Sequence, residues 1–182
     1  MEVSCDSLSN EVWRPPKLGF IKLNFDATFQ SNSKTSSTAV LARDSEGKVV
    51  GVETYLFTDV VDAFVVEVRA CERTLFFASR MGFLCLVVKG DSMTVIKKLK
   101  AKKKDKSVLR SIISHIQMLE KYFEEVQYLF VPYRNNGAAH TLAMKGRRIQ
   151  FSGLWVNGVP DSVLKIVEKD WALWSQMHHF SL

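Results

Sequence analysis

Ile21-Lys22-Leu23-Asn24-Phe25-Asp26-Ala27-Thr28-Phe29-Gln30 alternates apolar and polar side chains without a break. Ile21, Leu23, Phe25, Ala27 and Phe29 fall on one side, with Lys22, Asn24, Asp26, Thr28 and Gln30 on the other. A period of two predicts a strand with one buried face. Downstream, the polar tract Ser31 to Ser37 reads as a turn. Thr38 to Arg43 and Lys48 to Phe57 then read as two further strands, joined by the tight connection Asp44-Ser45-Glu46-Gly47. Three strands with short links make an antiparallel meander. Upstream, Trp13-Arg14-Pro15-Pro16 stops any regular element and leads into the first strand.

Beyond the meander the periodicity changes. Asp62 to Met81 holds no Pro or Gly, repeats apolar residues at helical spacing (Phe64, Val68, Cys71, Leu75, Ala78) and stops at Gly82. Phe83 to Val88 is a continuous apolar run, as expected of a strand covered on both faces. A short helix is expected from about Ser92 to Leu99. A longer one, capped by Ser107, carries the stripe Leu109, Ile112, Ile113, Ile116, Leu119 and Phe123. Val126 to Val131 reads as a last buried strand, and Asn135-Asn136-Gly137 opens another helix. Strand–helix–strand crossovers require parallel neighbours. The expected fold class is therefore α/β: a mixed five-stranded sheet of order 3-2-1-4-5, strands 1, 4 and 5 parallel, with helices on both faces. Residues 1–12 are expected to be a loose arm, 13–150 the domain, and 151–182 a helical extension on or beside it.

Composition excludes several classes. With 47% hydrophobic and 24% charged residues the chain reads as globular rather than disordered. Its longest apolar stretch is far below the roughly 20 residues that span a bilayer. Glu2 and Asp6 follow Met1 closely, unlike a secretory leader. Three cysteines (Cys5, Cys71, Cys85) without paired spacing argue against a disulfide framework or a cysteine-built zinc site. An intracellular protein, in nucleus or cytoplasm and without a membrane role, is expected. The net charge of +6 resides in one place: residues 97–106, KKLKAKKKDK, carry all of it. Such a protrusion on a neutral body suits a polyanion gripped at one point, or simply a solvated helix end.

Three acids stand out. Asp26 lies mid-strand, where aspartate is disfavoured. Glu67 sits in the first turns of the long helix among Val65, Val66, Val68 and Ala70, and Asp91 ends the fourth strand. With strands 1 and 4 adjacent and parallel, Asp26 and Asp91 converge at the carboxyl side of the sheet, and the preceding helix can bring Glu67 over them. Each has a plainer reading: Asp91 as a helix N-cap, Glu67 paired with Arg69 or Arg73, Asp26 as a structural polar group. Together they suit a hard cation, magnesium or manganese, because clustered carboxylates otherwise repel. Two such ions about 3.5–4 Å apart can drive phosphodiester hydrolysis.

Asn24-Phe25-Asp26-Ala27, Val66-Glu67 with Ala70, Gly90-Asp91-Ser92 and Asn136-Gly137-Ala138-Ala139-His140-Thr141-Leu142-Ala143 follow in order on the right elements. Over roughly residues 13–170 the chain resembles the ribonuclease H fold, and more narrowly the reverse-transcriptase-like ribonuclease H domains of plants. The Trp13–Pro16 segment and residues 155–170 also resemble that plant group. The resemblance implies an endonuclease that cuts the RNA strand of an RNA–DNA hybrid with two divalent ions. Asp26, Glu67 and Asp91 match the first three acidic ligands. His140 stands at the fourth acidic position and is expected to act through a water or as a proton carrier. Imidazole suits magnesium poorly. The resemblance puts Lys97, Lys98, Lys100, Lys102, Lys103, Lys104 and Lys106, with Asn24, Ser92 and Asn136, at the nucleic acid, read largely by shape.

Two departures follow. The loop before the His140 helix, Pro132-Tyr133-Arg134-Asn135, holds no histidine, and the loop after the first strand lacks the glycines usual in relatives. These, with the missing fourth acid at His140, feed the alternative of a catalytically weak or inactive module that binds nucleic acid or a protein partner, the latter through the C-terminal helix. A nuclease or integrase acting on DNA is a third reading. No rival hydrolase, P-loop or zinc-protease motif occurs, and a monomer is expected.

Overall fold

The alternating stretch becomes β1 (Ile21–Gln30), followed by β2 (Thr35–Arg43), β3 (Val49–Phe57), α1 (Ala63–Met81), β4 (Cys85–Gly90) and α2 (Met93–Ala101). Then come α3 (Arg110–Glu120), β5 (Glu125–Phe130), a 3₁₀ turn at Tyr133–Asn135, α4 (Gly137–Ile149), β6 (Gly153–Leu154) and α5 (Asp161–His179). This computed structural model describes residues 12–60, 62–101 and 109–179. The arm up to residue 11, Lys102, Lys103, Lys104, Lys106 and the Ser107 cap lie outside the described residues.

One sheet runs β5-β4-β1-β2-β3-β6. β1, β4 and β5 are parallel, whereas β2, β3 and β6 run antiparallel to their neighbours. The expected order of five is present, with a sixth strand added. β6 is two residues long, too short for any period, and pairs with Glu53 and Thr54 on the edge of β3. The turn after β1 is also shorter than expected: β2 starts at Thr35, with Ser36 and Ser37 buried in the ladder.

Alternation along β2 separates two cores on opposite faces. Val40 and Ala42 join Leu23 and Phe25 against α1, α2 and α3. Ala39 and Leu41 join Val52 against α4 and α5. The start and stop of α1 follow local chemistry. The Asp62 carboxylate accepts the Phe64 N–H at 2.6 Å, and Gly82 takes a left-handed φ of 76°. Helix α3 is shorter than its apolar stripe, ending at Glu120, so Phe123 meets the core from the following turn.

The second side of β1 departs most from expectation. Lys22, Asn24, Asp26 and Thr28 are all buried, because α4 lies over them and Trp13 sits beside Lys22. A polar row that is covered must be paired internally or put to use. On the other face, Phe25 is 1% exposed and its ring packs on Gly90, the residue before Asp91. A methyl group at Gly90 would overlap that ring. Gly90→Ala is expected to cost about 1–3 kcal/mol by overpacking, measured as a lower urea midpoint.

At the end of β2, Arg43 is buried and gathers the two flanking segments. Its Nη1 donates to Asp170 Oδ2 of α5 at 2.8 Å, and its guanidinium lies 4.1 Å from the centre of the Trp13 ring. Arg14 in turn lies over Trp174, at 6.0 Å. Trp171 covers Gly47 in the β2–β3 turn.

Candidate active site

The parallel register sets Asn24 of β1 beside Lys89 of β4. Continued by two residues, it brings Asp26 level with Asp91. Glu67 stands one turn into α1. One oxygen from each of Asp26, Glu67 and Asp91 lies within 4.8 Å of the other two. The three acids singled out from the sequence therefore meet.

Their plainer readings fall away one by one. Ser92 Oγ, not Asp91, receives the Val95 N–H at 3.4 Å and caps α2. Arg69 pairs with Glu72 and Arg73 with Glu53, so neither neutralises Glu67. Glu67 Oε2 is buried and has no hydrogen-bond partner. Asp26 is 3% exposed and accepts from His140, whose Nδ1 lies 2.8 Å from Oδ2. His140 thus contacts the first acid directly, and the Tyr133 ring meets it edge-on at 5.2 Å.

Burial raises all three carboxylates, and neighbouring charge adds to it for Glu67 and Asp26. Burial, then the neighbouring charges of Asp26 and Asp91, push Glu67 up to about 9. Burial and Asp91 push Asp26 up to about 6, against the opposing pull of His140 and the Ala27 amide. Asp91 is raised by burial, while Asn136 and His140 hold it down. Such a cluster holds less charge than its composition suggests, unless a cation restores it. A buried, unpartnered carboxylate oxygen within an all-oxygen set fits a magnesium- or manganese-sized ion.

Asn24 and Asn136 were expected at the nucleic acid, yet both are 1% exposed and bonded inside the protein. Asn24 Nδ2 donates to Asn136 Oδ1 at 3.1 Å, and Asn136 Nδ2 donates to the Phe25 carbonyl at 2.9 Å. The Asn136 side chain also bonds Asp91. Arg43 Nη2 reaches Asn24 Oδ1 at 3.5 Å, joining this chain to Asp170. The sequence reading passed over Arg43 and Asp170; the one local signal was a cation closing the apolar run Ala39–Ala42. Ser92 is half-buried at its cap. Lys97 and Lys100 are exposed on α2 and Lys98 is half-buried. At 1.5 Å per residue, Lys100 stands about 14 Å along the chain from Asp91. Away from the cluster, His115 bonds Glu72 at 3.0 Å on the α1–α3 face.

A meander followed by parallel crossovers, with acids within β1, just past β4 and on α1, defines a ribonuclease H-like protein. Solved structures agree on the fold. Ribonuclease H1 of Halobacterium salinarum superposes with a TM-score of 0.66 at 21% identity, over 71% of this chain and 98% of that one. The N-terminal RNase H domain of Rv2228c from Mycobacterium tuberculosis gives 0.64 at 20% identity, over 71% and 94%. LC11-RNase H1, isolated from compost and solved with an RNA/DNA hybrid, gives 0.60 at 17% identity, over 69% and 94%. No curated protein sequence matches the chain. The sequence profile described as reverse transcriptase-like matches residues 24–146, and the chain belongs to that family.

Proposed function

We propose that this chain is a divalent-metal-dependent endonuclease that hydrolyses the RNA strand of RNA–DNA hybrids. The observation that carries the reading is the meeting of Asp26, Glu67 and Asp91 within 4.8 Å, with Glu67 Oε2 buried and unpartnered. These three would hold magnesium or manganese, which when bound supplies Lewis acidity and an acidified water for attack on the phosphodiester. His140 orients the Asp26 carboxylate and is one-third exposed, so its ring can pass a proton between cluster and solvent. Asn136 steadies Asp91 from the start of α4. Helix α2 begins directly after Asp91-Ser92, and its lysines, from Lys97 onward, would meet the backbone of the hybrid. That LC11-RNase H1 has been solved with an RNA/DNA hybrid supports the substrate class.

With this reading go an intracellular monomer, two ions in the working complex and the plant-type subgroup. No described helix is long and apolar enough to cross a membrane.

One observation favours a second reading, a module that binds nucleic acid or a protein without cutting. His140 Nδ1 already engages Asp26 Oδ2, so one of the two oxygens of that carboxylate is occupied. A labelled hybrid separates the two. The RNA strand is expected to be cut only when magnesium or manganese is added, with the DNA strand intact. Binding without cutting under either metal leaves the second reading. Failure to bind would end the nucleic-acid assignment altogether.

A further inference from the structure

Along α4, past His140, lies a hollow of about 560 Å³ between the end of β1 and the start of α5. Gln30, Thr141 and Ser162 line it with polar groups, and Lys145, Arg147 and Arg148 surround it with three cations. No acid contributes to its wall, and among the described residues none of the three cations is ion-paired. The negative end of the α4 dipole favours basic residues in the last turn, which accounts for Arg147 and Arg148. It does not account for Lys145, or for the polar lining they face.

Two relations tie this hollow to the carboxylates. Thr141 follows His140 directly. Gln30 lies two alternations beyond Asp26 on the same side of β1. At 1.5 Å per residue, Lys145 and Arg148 stand about 7 and 12 Å along α4 from His140. The hollow then opens into a second, of about 780 Å³, which shares Lys145, Arg148 and Ser162 and adds Phe151 and Trp155. Asp161 is an acid on that farther wall. Phe151 is 38% exposed and packs edge-on against Trp155, at 5.4 Å between ring centres. Trp155 is half-buried with its Nε1 bonded to Thr54, which leaves Phe151 as the exposed ring. Cations along a groove, followed by an exposed aromatic ring, make the arrangement by which proteins hold unpaired nucleic acid.

We propose that this α4 track binds a single-stranded extension of the substrate, gripping its phosphates with Lys145, Arg147 and Arg148 and receiving a base near Phe151. The inference rests on the nucleic-acid reading above and adds a site separate from the carboxylates and from the lysines of α2. An acidic peptide is the competing occupant.

The test compares a blunt RNA–DNA hybrid with hybrids bearing a six-nucleotide RNA overhang at the 5′ or 3′ end. Binding is followed by fluorescence anisotropy without added metal, over a salt series. One overhang is expected to tighten binding by about tenfold and to steepen the logarithmic salt dependence by about two, as three single-strand phosphate contacts would. In Lys145→Ala/Arg147→Ala/Arg148→Ala, the ratio of overhang to blunt affinity is expected to fall close to one. All three side chains are at least partly exposed, so the variant should fold, with a melting temperature lowered by a few degrees through the lost helix-dipole contacts of Arg147 and Arg148. If the blunt hybrid binds and neither overhang adds affinity, the track is overturned while the nucleic-acid reading stands. Equal losses on both substrates in the triple variant would reduce it to general charge attraction. Overhang binding abolished by an acidic peptide, with no salt-slope difference, would assign the hollow to the peptide. No binding of any hybrid would overturn both readings.

Discussion

Asp91→Asn is expected to reduce hybrid cleavage by about a thousandfold or more while leaving the fold intact. The exchange keeps the size of the side chain and removes one negative oxygen from the cluster proposed to hold cations. The local structure has no need of that charge, because Ser92 rather than Asp91 caps α2. Hybrid binding should persist, since the lysines are untouched. Mn²⁺ affinity, measured by calorimetry, should fall with the activity. Single-turnover cleavage at saturating hybrid separates the two effects. A variant that cuts within tenfold of the parent would remove Asp91 from the chemistry.

Glu67→Gln is expected to do two opposite things: abolish cleavage, and stabilise the metal-free protein. Glu67 is pushed up to about 9 in the folded chain, from an ordinary value of 4.5. Between those values the folded state holds a proton that the unfolded state has released, so stability falls as pH rises through the window. The slope approaches 1.4 kcal/mol per pH unit. Glutamine carries no charge and escapes that loss. With chelator present, the variant should exceed the parent by about 3–5 kcal/mol at pH 7 to 8, and the gap should close near pH 4.5. Asp26, raised to about 6, adds a contribution of the same sign at lower pH in both proteins. Urea unfolding across this range reads the difference. Added magnesium should raise the melting temperature of the parent most at high pH and that of the variant little. Equal stability at pH 8 would mean that the Glu67 charge is compensated by something other than a cation.

What was legible in the sequence is what local patterning controls. The two-residue alternation of β1, the helical spacing of α1 and the continuous apolar run of β4 each depend on neighbours within a turn or a pleat. Parallel crossovers then left few ways to arrange the strands. The three acids could be found because each is anomalous where it stands. Contacts between residues more than a hundred positions apart were not legible: Asn24 with Asn136, Arg43 with Asp170, His140 with Asp26. Asn24 and Asn136 resembled substrate contacts because an asparagine in a motif looks the same whether it faces a ligand or a neighbouring strand. The polar side of β1 was read as open for a related reason. Alternation reveals that two faces differ, not that a helix from the far end of the chain covers the second. β6 was invisible, since two residues have no period.

Arg43 has a consequence for where this molecule can be cut. One guanidinium, 127 positions from its carboxylate partner, is clasped between an indole from ahead of the sheet and an acid from the final helix. The two flanks are stitched to each other through the same knot that steadies Asn24. Trimming the gene to the span between them would strand a desolvated cation in the interior, a loss of about 3–5 kcal/mol. Excision limits for any working fragment therefore fall before Trp13 and after Asp170, well outside the carboxylate cluster itself.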